Sequence, residues 1–117
     1  MLSRFTKIDY DREMAIIATT ETPQGEEQEI GVGRYIINPD GKSCEFAVVV
    51  ADAWQRRGIG YKLLSCLIEI ARNKGLRTME GSVLASNAGM VELVRALDFE
   101  VRPHPEDAAL KYVVRNL

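Results

Sequence analysis

Apolar residues along this chain follow a two-residue period in most stretches and a helical period in two. Met14 to Thr20 and Glu29 to Asn38 are β-prone runs. Cys44 to Val50 is the most apolar strand, rich in Val with Phe46 and a single charge, as a largely buried strand requires. From Ile59 the apolar positions fall at 59, 63, 64, 67, 68 and 71, one face of a helix, and Gly75 supplies its stop. Arg77 to Leu84 alternates again. Asn87 to Leu97 is a second amphipathic helix, with Met90, Val91, Leu93, Val94 and Leu97 apolar. Phe99 to Arg102 and Ala108 to Leu117 read as extended.

Turn signals order these elements. Glu21 to Glu29 holds Pro23, Gly25 and several glutamates, which reads as a hairpin connection with a solvated acidic tip. Asn38-Pro-Asp-Gly is a turn that returns the third strand antiparallel to the second. Gly31 and Gly33 mark a bulge in the second strand. Met1 to Arg12 is polar and mixed, and Ile8 to Glu13 reads as a loop leading into a strand. The expected order β-β-β-α-β-α-β-β makes an α/β (α+β) fold with an antiparallel half, a single domain over 1–117.

Composition narrows the classes. The chain has 117 residues, enough for one modest core. Its formal net charge of −2 supplies no basic field for nucleic acid. The apolar runs are too short for a membrane span, and the first residues do not read as a signal peptide. Cys44 and Cys66 lack metal-type spacing, so no metal is expected, and both read as thiols of a reducing cytoplasm.

The chemistry is concentrated in Gln55-Arg-Arg-Gly-Ile-Gly60, between the most apolar strand and the long helix. A helix N-terminus offers unpaired N–H groups and the positive end of the helix dipole. Gly58 and Gly60 remove Cβ atoms, so the backbone from Arg56 to Tyr61 can close on an anion, with Arg56 and Arg57 adding charge. Two glycines also ease a tight strand-to-helix corner, and alone they do not separate these readings. The spacing is neither a Walker loop nor a Rossmann fingerprint, since position 63 is Leu.

The stretch resembles motif A of the GCN5-related N-acetyltransferases (GNAT), Gln/Arg-x-x-Gly-x-Gly/Ala at the start of a long helix, which Gln55, Gly58 and Gly60 fill. Asn87 to Phe99 is similar to the family's motif B, with Asn87, Leu93 and Phe99 matching and Met90, Val94 and Asp98 standing where the family has Ala, Tyr and Gly. The resemblance implies a mixed, mostly antiparallel central sheet with helices on both faces. It implies acetyl-CoA as co-substrate and a primary amine as acceptor. Gln55, Arg56, Arg57, Gly58, Ile59, Gly60 and Tyr61 would hold the pyrophosphate, and Val48, Val49 and Val50 the pantetheine arm and the oxyanion. Asn87 would contact the same ligand, although Asn is also a good helix N-cap. The tyrosine at the Val94 position is the general acid in many members, and Val94 cannot donate a proton.

More narrowly, Ile8-Asp-Tyr-Asp-Arg-Glu-Met-Ala15 and Ile37-Asn-Pro-Asp-Gly-Lys-Ser-Cys-Glu-Phe-Ala47 are similar to a bacterial subgroup fused behind acyl-CoA synthetase-like domains, which acetylates protein lysines. Relatives begin with a strand and helices for which this chain has no room before Met14. The fold is therefore expected to lack them, and an open sheet there favours a homodimer or a larger multidomain parent chain.

A lysine ammonium must lose a proton before it can attack a thioester, and a carboxylate can take it. Glu45 is the expected base, the sole charge in the most apolar strand, where burial would favour its protonated form. The alternative is a solvent-facing glutamate or an arginine partner. Glu80 is the second candidate base; alternation puts it on the face opposite Met79, Gly81 and Val83, where a solvated position or an ion pair is expected. Asp40 and Asp52 are expected in turns, and His104, between prolines, in a loop. Tyr35 and Trp54 are core or acceptor-site aromatics. The expected activity is acetyl transfer to an amine; the alternative is an acyl-CoA-sensing module without turnover.

Overall fold

Seven strands form one sheet in the order β1-β2-β3-β4-β5-β7-β6, built from β1 (Ser3–Asp9), β2 (Glu13–Glu21), β3 (Glu27–Ile37), β4 (Ser43–Val50), β5 (Thr78–Leu84), β6 (Glu100–Pro103) and β7 (Leu110–Asn116). A 3₁₀ turn, Asp52–Trp54, leads from β4 to helix α1 (Ile59–Asn73), and α2 (Ala88–Ala96) joins β5 to β6. The computed structural model describes residues 3–117. Every neighbouring pair of strands is antiparallel except β4 and β5. The mixed, mostly antiparallel sheet is as the sequence implies.

Two expectations about the sheet do not hold. Ser3–Asp9 is a strand, although the fold was expected to lack one before Met14, and it pairs with β2 from Ser3↔Thr20 to Asp9↔Met14. Its own periodicity is weak because it is an edge strand: Phe5 packs on the core, while Arg4, Thr6 and Lys7 are exposed. No helix precedes β2 among the described residues.

The second correction concerns the helices, which share one face. The register places Met14, Ile16 and Ala18 of β2 beside Tyr35, Gly33 and Gly31 of β3, then Phe46, Val48 and Val50 of β4. Cys44 lies beside Met79 of β5, and Gly81 beside Val113 of β7, on that same side. Helix α1 packs there with Ile59, Leu63, Leu64, Leu67, Ile68 and Ala71, all buried. Each buried Leu or Ile contributes about 1.5–3 kcal/mol relative to exposure. Helix α2 lies beside α1, since a Cβ on Gly60 would meet Leu93 Cδ2 at 3.3 Å. The opposite face, with Ile36, Glu45, Val49 and Leu84, is left open.

Glycines in β3 let α1 approach closely. A Cβ on Gly33 would lie 3.2 Å from Leu63 Cβ and Leu67 Cδ1. The bulge itself falls one residue earlier than Gly31. Ala18 pairs with Gly31 but Thr19 with Glu29, which leaves buried Ile30 without a partner in β2.

Candidate functional site

The parallel pairing of β4 and β5 covers only Ser43↔Thr78, Cys44↔Met79 and Glu45↔Glu80. Beyond Glu45 the strands diverge, while β5 keeps β7 as a partner along its whole length. At the two ends of β4 the backbone groups of Ser43 and of Ala51, the residue after the strand, bond toward β3, through Asn38 N–H to Ser43 O at 2.9 Å and Ala51 N–H to Ile30 O at 2.9 Å. Alternation therefore commits the N–H and C=O of Val49 to β3 and turns those of Val48 and Val50 into the gap. Gln55 Nε2 donates to the Val50 carbonyl at 3.1 Å and to Asp52 Oδ1 at 3.2 Å. Gln55 thus ties the loop to the end of β4.

The wide end of the gap meets the N-terminus of α1. Gly58 is the N-cap in the left-handed conformation (φ +83°), and among the described residues no side chain caps the helix. The first helix bond in this turn runs from Lys62 N–H to Gly58 O at 3.0 Å, so the N–H groups of Ile59, Gly60 and Tyr61 point out of the helix end. The two glycines have different reasons. Gly58 has open space around it and is required by its φ, whereas Gly60 lies against Leu93 and Val50. Arg56 is also left-handed (φ 62°). The Arg57 guanidinium lies 4.9 Å from the centre of the Trp54 ring, which holds it at this rim. Tyr61 is half exposed.

Asn87 caps α2, its Oδ1 accepting from Met90 N–H at 3.1 Å. Val94 is fully buried beneath that helix and presents no donor. Tyr35 is core, and Trp54 packs at its margin. Asp40 closes its turn by accepting from the N–H groups of Lys42 and Ser43, which hold its carboxyl below the usual range. His104 Nδ1 accepts from Glu106 N–H within a loop.

Glu45 does not lie where the sequence suggests. Cys44 and Phe46 take the inward positions of β4, so Glu45 is exposed on the open face, and desolvation among apolar side chains is not its environment. It lines a shallow cavity of about 220 Å³ with Arg34, Ile36, Asn38, Phe46 and Ala47. Arg34 is itself paired with Glu13.

Glu80 lies on the same face, one strand spacing from Glu45, about 4.8 Å in backbone terms. Tyr112 Oη donates to its Oε2 at 2.8 Å, and Asn38 Nδ2 lies 3.4 Å from its Oε1. Asn38 also donates to Ser43 Oγ at 2.8 Å, and Ser43 Oγ to Asp40. Burial first, then the Glu80 hydrogen bond, raise the Tyr112 pKa to about 12, so Tyr112 remains a neutral donor. Tyr112 is the site residue that periodicity does not single out; only the β5–β7 register, Ser82↔Tyr112, brings it to Glu80.

Comparison with known proteins agrees with this architecture. The model of the Acetyltransferase (GNAT) family matches residues 4–99. The chain belongs to the GNAT acetyltransferase family. It is 35% identical over 108 residues to acetyltransferase PA5475 of Pseudomonas aeruginosa, covering 92% of this chain and 58% of that protein. It is 40% identical over 59 residues to an L-methionine sulfoximine/L-methionine sulfone acetyltransferase of Pseudomonas paraeruginosa, covering 50% of this chain and 34% of that one. The chain therefore spans less than two thirds of the length of these relatives. Among solved structures, the GNAT domain of S. lividans PAT superposes with a TM-score of 0.75 at 24% identity, covering 93% of this chain and 64% of that one. A domain from Methanocaldococcus jannaschii gives 0.77 at 14% identity, covering 92% and 69%.

Proposed function

We propose that this chain is an N-acetyltransferase that moves an acetyl group from acetyl-CoA to a primary amine. The observation that carries this reading is the gap that opens between β4 and β5 after Glu45↔Glu80 and widens toward the uncapped N-terminus of α1. Ile59, Gly60 and Tyr61 present N–H groups suited to a pyrophosphate, with Arg56 and Arg57 at the rim. Val48 presents an N–H and a C=O to the pantetheine amides as an added strand would, and the Val50 N–H lies beyond it. Gln55 keeps the Val50 carbonyl in place, and Val49 supports the arm indirectly by fixing β4 to β3. Asn87 acts as the cap that sets the start of α2 beside the same ligand.

Acetyl-CoA supplies the activated acyl carbon. Glu45 takes the proton that the acceptor ammonium gives up; the amine attacks, the C–N bond forms, the C–S bond breaks with its electron pair leaving on sulfur, and the second proton on nitrogen passes to solvent to give the neutral amide. With Val94 in the motif B position, the departing thiolate takes its proton from solvent. The acceptor we propose is a protein lysine. The exposure of Glu45 on an open sheet face, which a side chain on a macromolecule can reach, supports this. Two free cysteines fit a cytoplasmic setting. Exposed Ile36 and Val49 on the open face support a homodimer or a larger parent chain, to be read from the mass by light scattering.

The test is coenzyme A release with acetyl-CoA and lysine-bearing acceptors, wild type beside Glu45→Gln. Loss of turnover by about 100-fold or more, with the acetyl-CoA thermal shift retained, is expected. Unchanged turnover removes Glu45 from the role. Buried Val94, in place of a proton donor, favours a second reading: an acyl-CoA-sensing module, revealed by a thermal shift with no coenzyme A release from the wild type.

A further inference from the structure

The open face holds one carboxylate that is fixed in place and not merely solvated. Glu45 is exposed, whereas Glu80 is half-buried and receives hydrogen bonds from two other elements, Tyr112 of β7 at 2.8 Å and Asn38 of the β3–β4 turn at 3.4 Å. Tyr112 bonds one carboxylate oxygen and Asn38 the other, so the rotation of the group is restrained. Each oxygen still has lone-pair capacity. Neither donor carries a positive charge, so the pair leaves the negative charge of Glu80 uncompensated. Asn38 is in turn held by Ser43 and Asp40. The carboxylate sits on the last paired residue of β5 before the strands diverge, at the narrow end of the gap.

We propose that Glu80 is a second acceptor-binding residue of this site, one that hydrogen-bonds the incoming primary ammonium and aims its nitrogen into the gap, with Tyr112 and Asn38 as the positioning residues. The inference rests on the acetyl-transfer reading and divides its labour. Glu45, exposed and movable, takes the proton; Glu80, restrained, holds the amine while that happens. A primary ammonium has three N–H bonds, so it can donate to both carboxylates and still release one proton. A hydrogen bond to a charged group of fixed orientation contributes more than one to a free side chain, because less conformational freedom is lost on binding.

The experiment compares wild type, Glu80→Gln and Tyr112→Phe in steady-state assays with a lysine-bearing peptide. Melting temperatures and acetyl-CoA thermal shifts exclude misfolding. Glu80→Gln is expected to raise KM for the amine by about 10-fold or more with a smaller change in kcat, because it removes the charge and keeps the shape. Tyr112→Phe is expected to raise KM less, in the same direction. Equal amine KM values in all three proteins overturn the proposal. A binding measurement separates this outcome from failure of the acetyl-transfer reading. n-Butylamine is titrated into the coenzyme A complex while the tyrosine ring resonances are followed by NMR. Tyr112 signals that move in wild type but not in Glu80→Gln support the proposal even without turnover; Tyr112 signals that stay fixed in wild type overturn it.

Discussion

Gly81 lies directly under the ring of Phe46, and a Cβ built on it would stand 2.7 Å from Phe46 Cε1. The ring cannot retreat easily, because it packs against Phe99 with centroids 5.2 Å apart. Phe46 adjoins Glu45 on β4 and Gly81 adjoins Glu80 on β5, so this contact sits immediately behind the open-face carboxylates. Gly81→Ala should therefore destabilise the protein by about 1–3 kcal/mol. Chemical denaturation would show this as a lower midpoint, and the same variant should lower the proposed acetyl transfer as the strand spacing shifts.

Gly58 gives a contrasting case. Among the described residues no atom lies within 4 Å of a Cβ at this position, so Gly58→Ala meets no clash there and its cost is conformational, about 1–2 kcal/mol for φ +83°. Relief of that strain would rotate the N-terminal turn of α1. We expect a smaller acetyl-CoA thermal shift for Gly58→Ala than for wild type, even after correction for the lower melting temperature of the free protein.

Asp98 occupies a left-handed position (φ 67°) just past the C-cap of α2, where glycine is the usual residue. Asp98→Gly removes the Cβ strain and should raise stability by about 1 kcal/mol. A thermal melt that moves down would show that the Asp98 side chain contributes a contact of its own.

Alkaline pH should unfold the protein early. Burial raises the Cys44 thiol from 9.0 to about 12, with the Glu80 charge adding to it, and burial raises the Tyr35 and Tyr112 phenols from 10.0 to about 12. Between those values the folded chain binds more protons than the unfolded chain, so stability falls as pH rises. The contribution is fully present below pH 9 and lost between pH 9 and 12. Urea midpoints measured across that window check the sign. At pH 8, a thiol reagent should modify partly exposed Cys66 quickly and Cys44 only after denaturation.

Much of the architecture was legible along the chain because its signals are local. The Asn38–Gly41 turn, the 59-63-64-67-68-71 stripe and the αL glycines Gly58 and Gly75 each report on residues a few positions apart. Motif A lay in that class, so the corner, the uncapped helix start and the N-cap at Asn87 were readable. Glu80 was correctly assigned to the face opposite Met79, because alternation needs no partner strand.

What failed depended on partners distant in sequence. Ser3–Asp9 is a strand because β2 offers it an edge, although Phe5 is its main apolar anchor. Glu45 looked buried in an apolar run, yet a strand has two faces, and both helices chose the one bearing Cys44 and Phe46.

The sequence by itself determined the meander, the two helices and the glycine corner, because periodicity and turn chemistry act between near neighbours. Only the tertiary structure decided which sheet face stayed open and which carboxylate was held. Tyr112 reaches Glu80 across 32 residues of chain, through a strand register that no local pattern records.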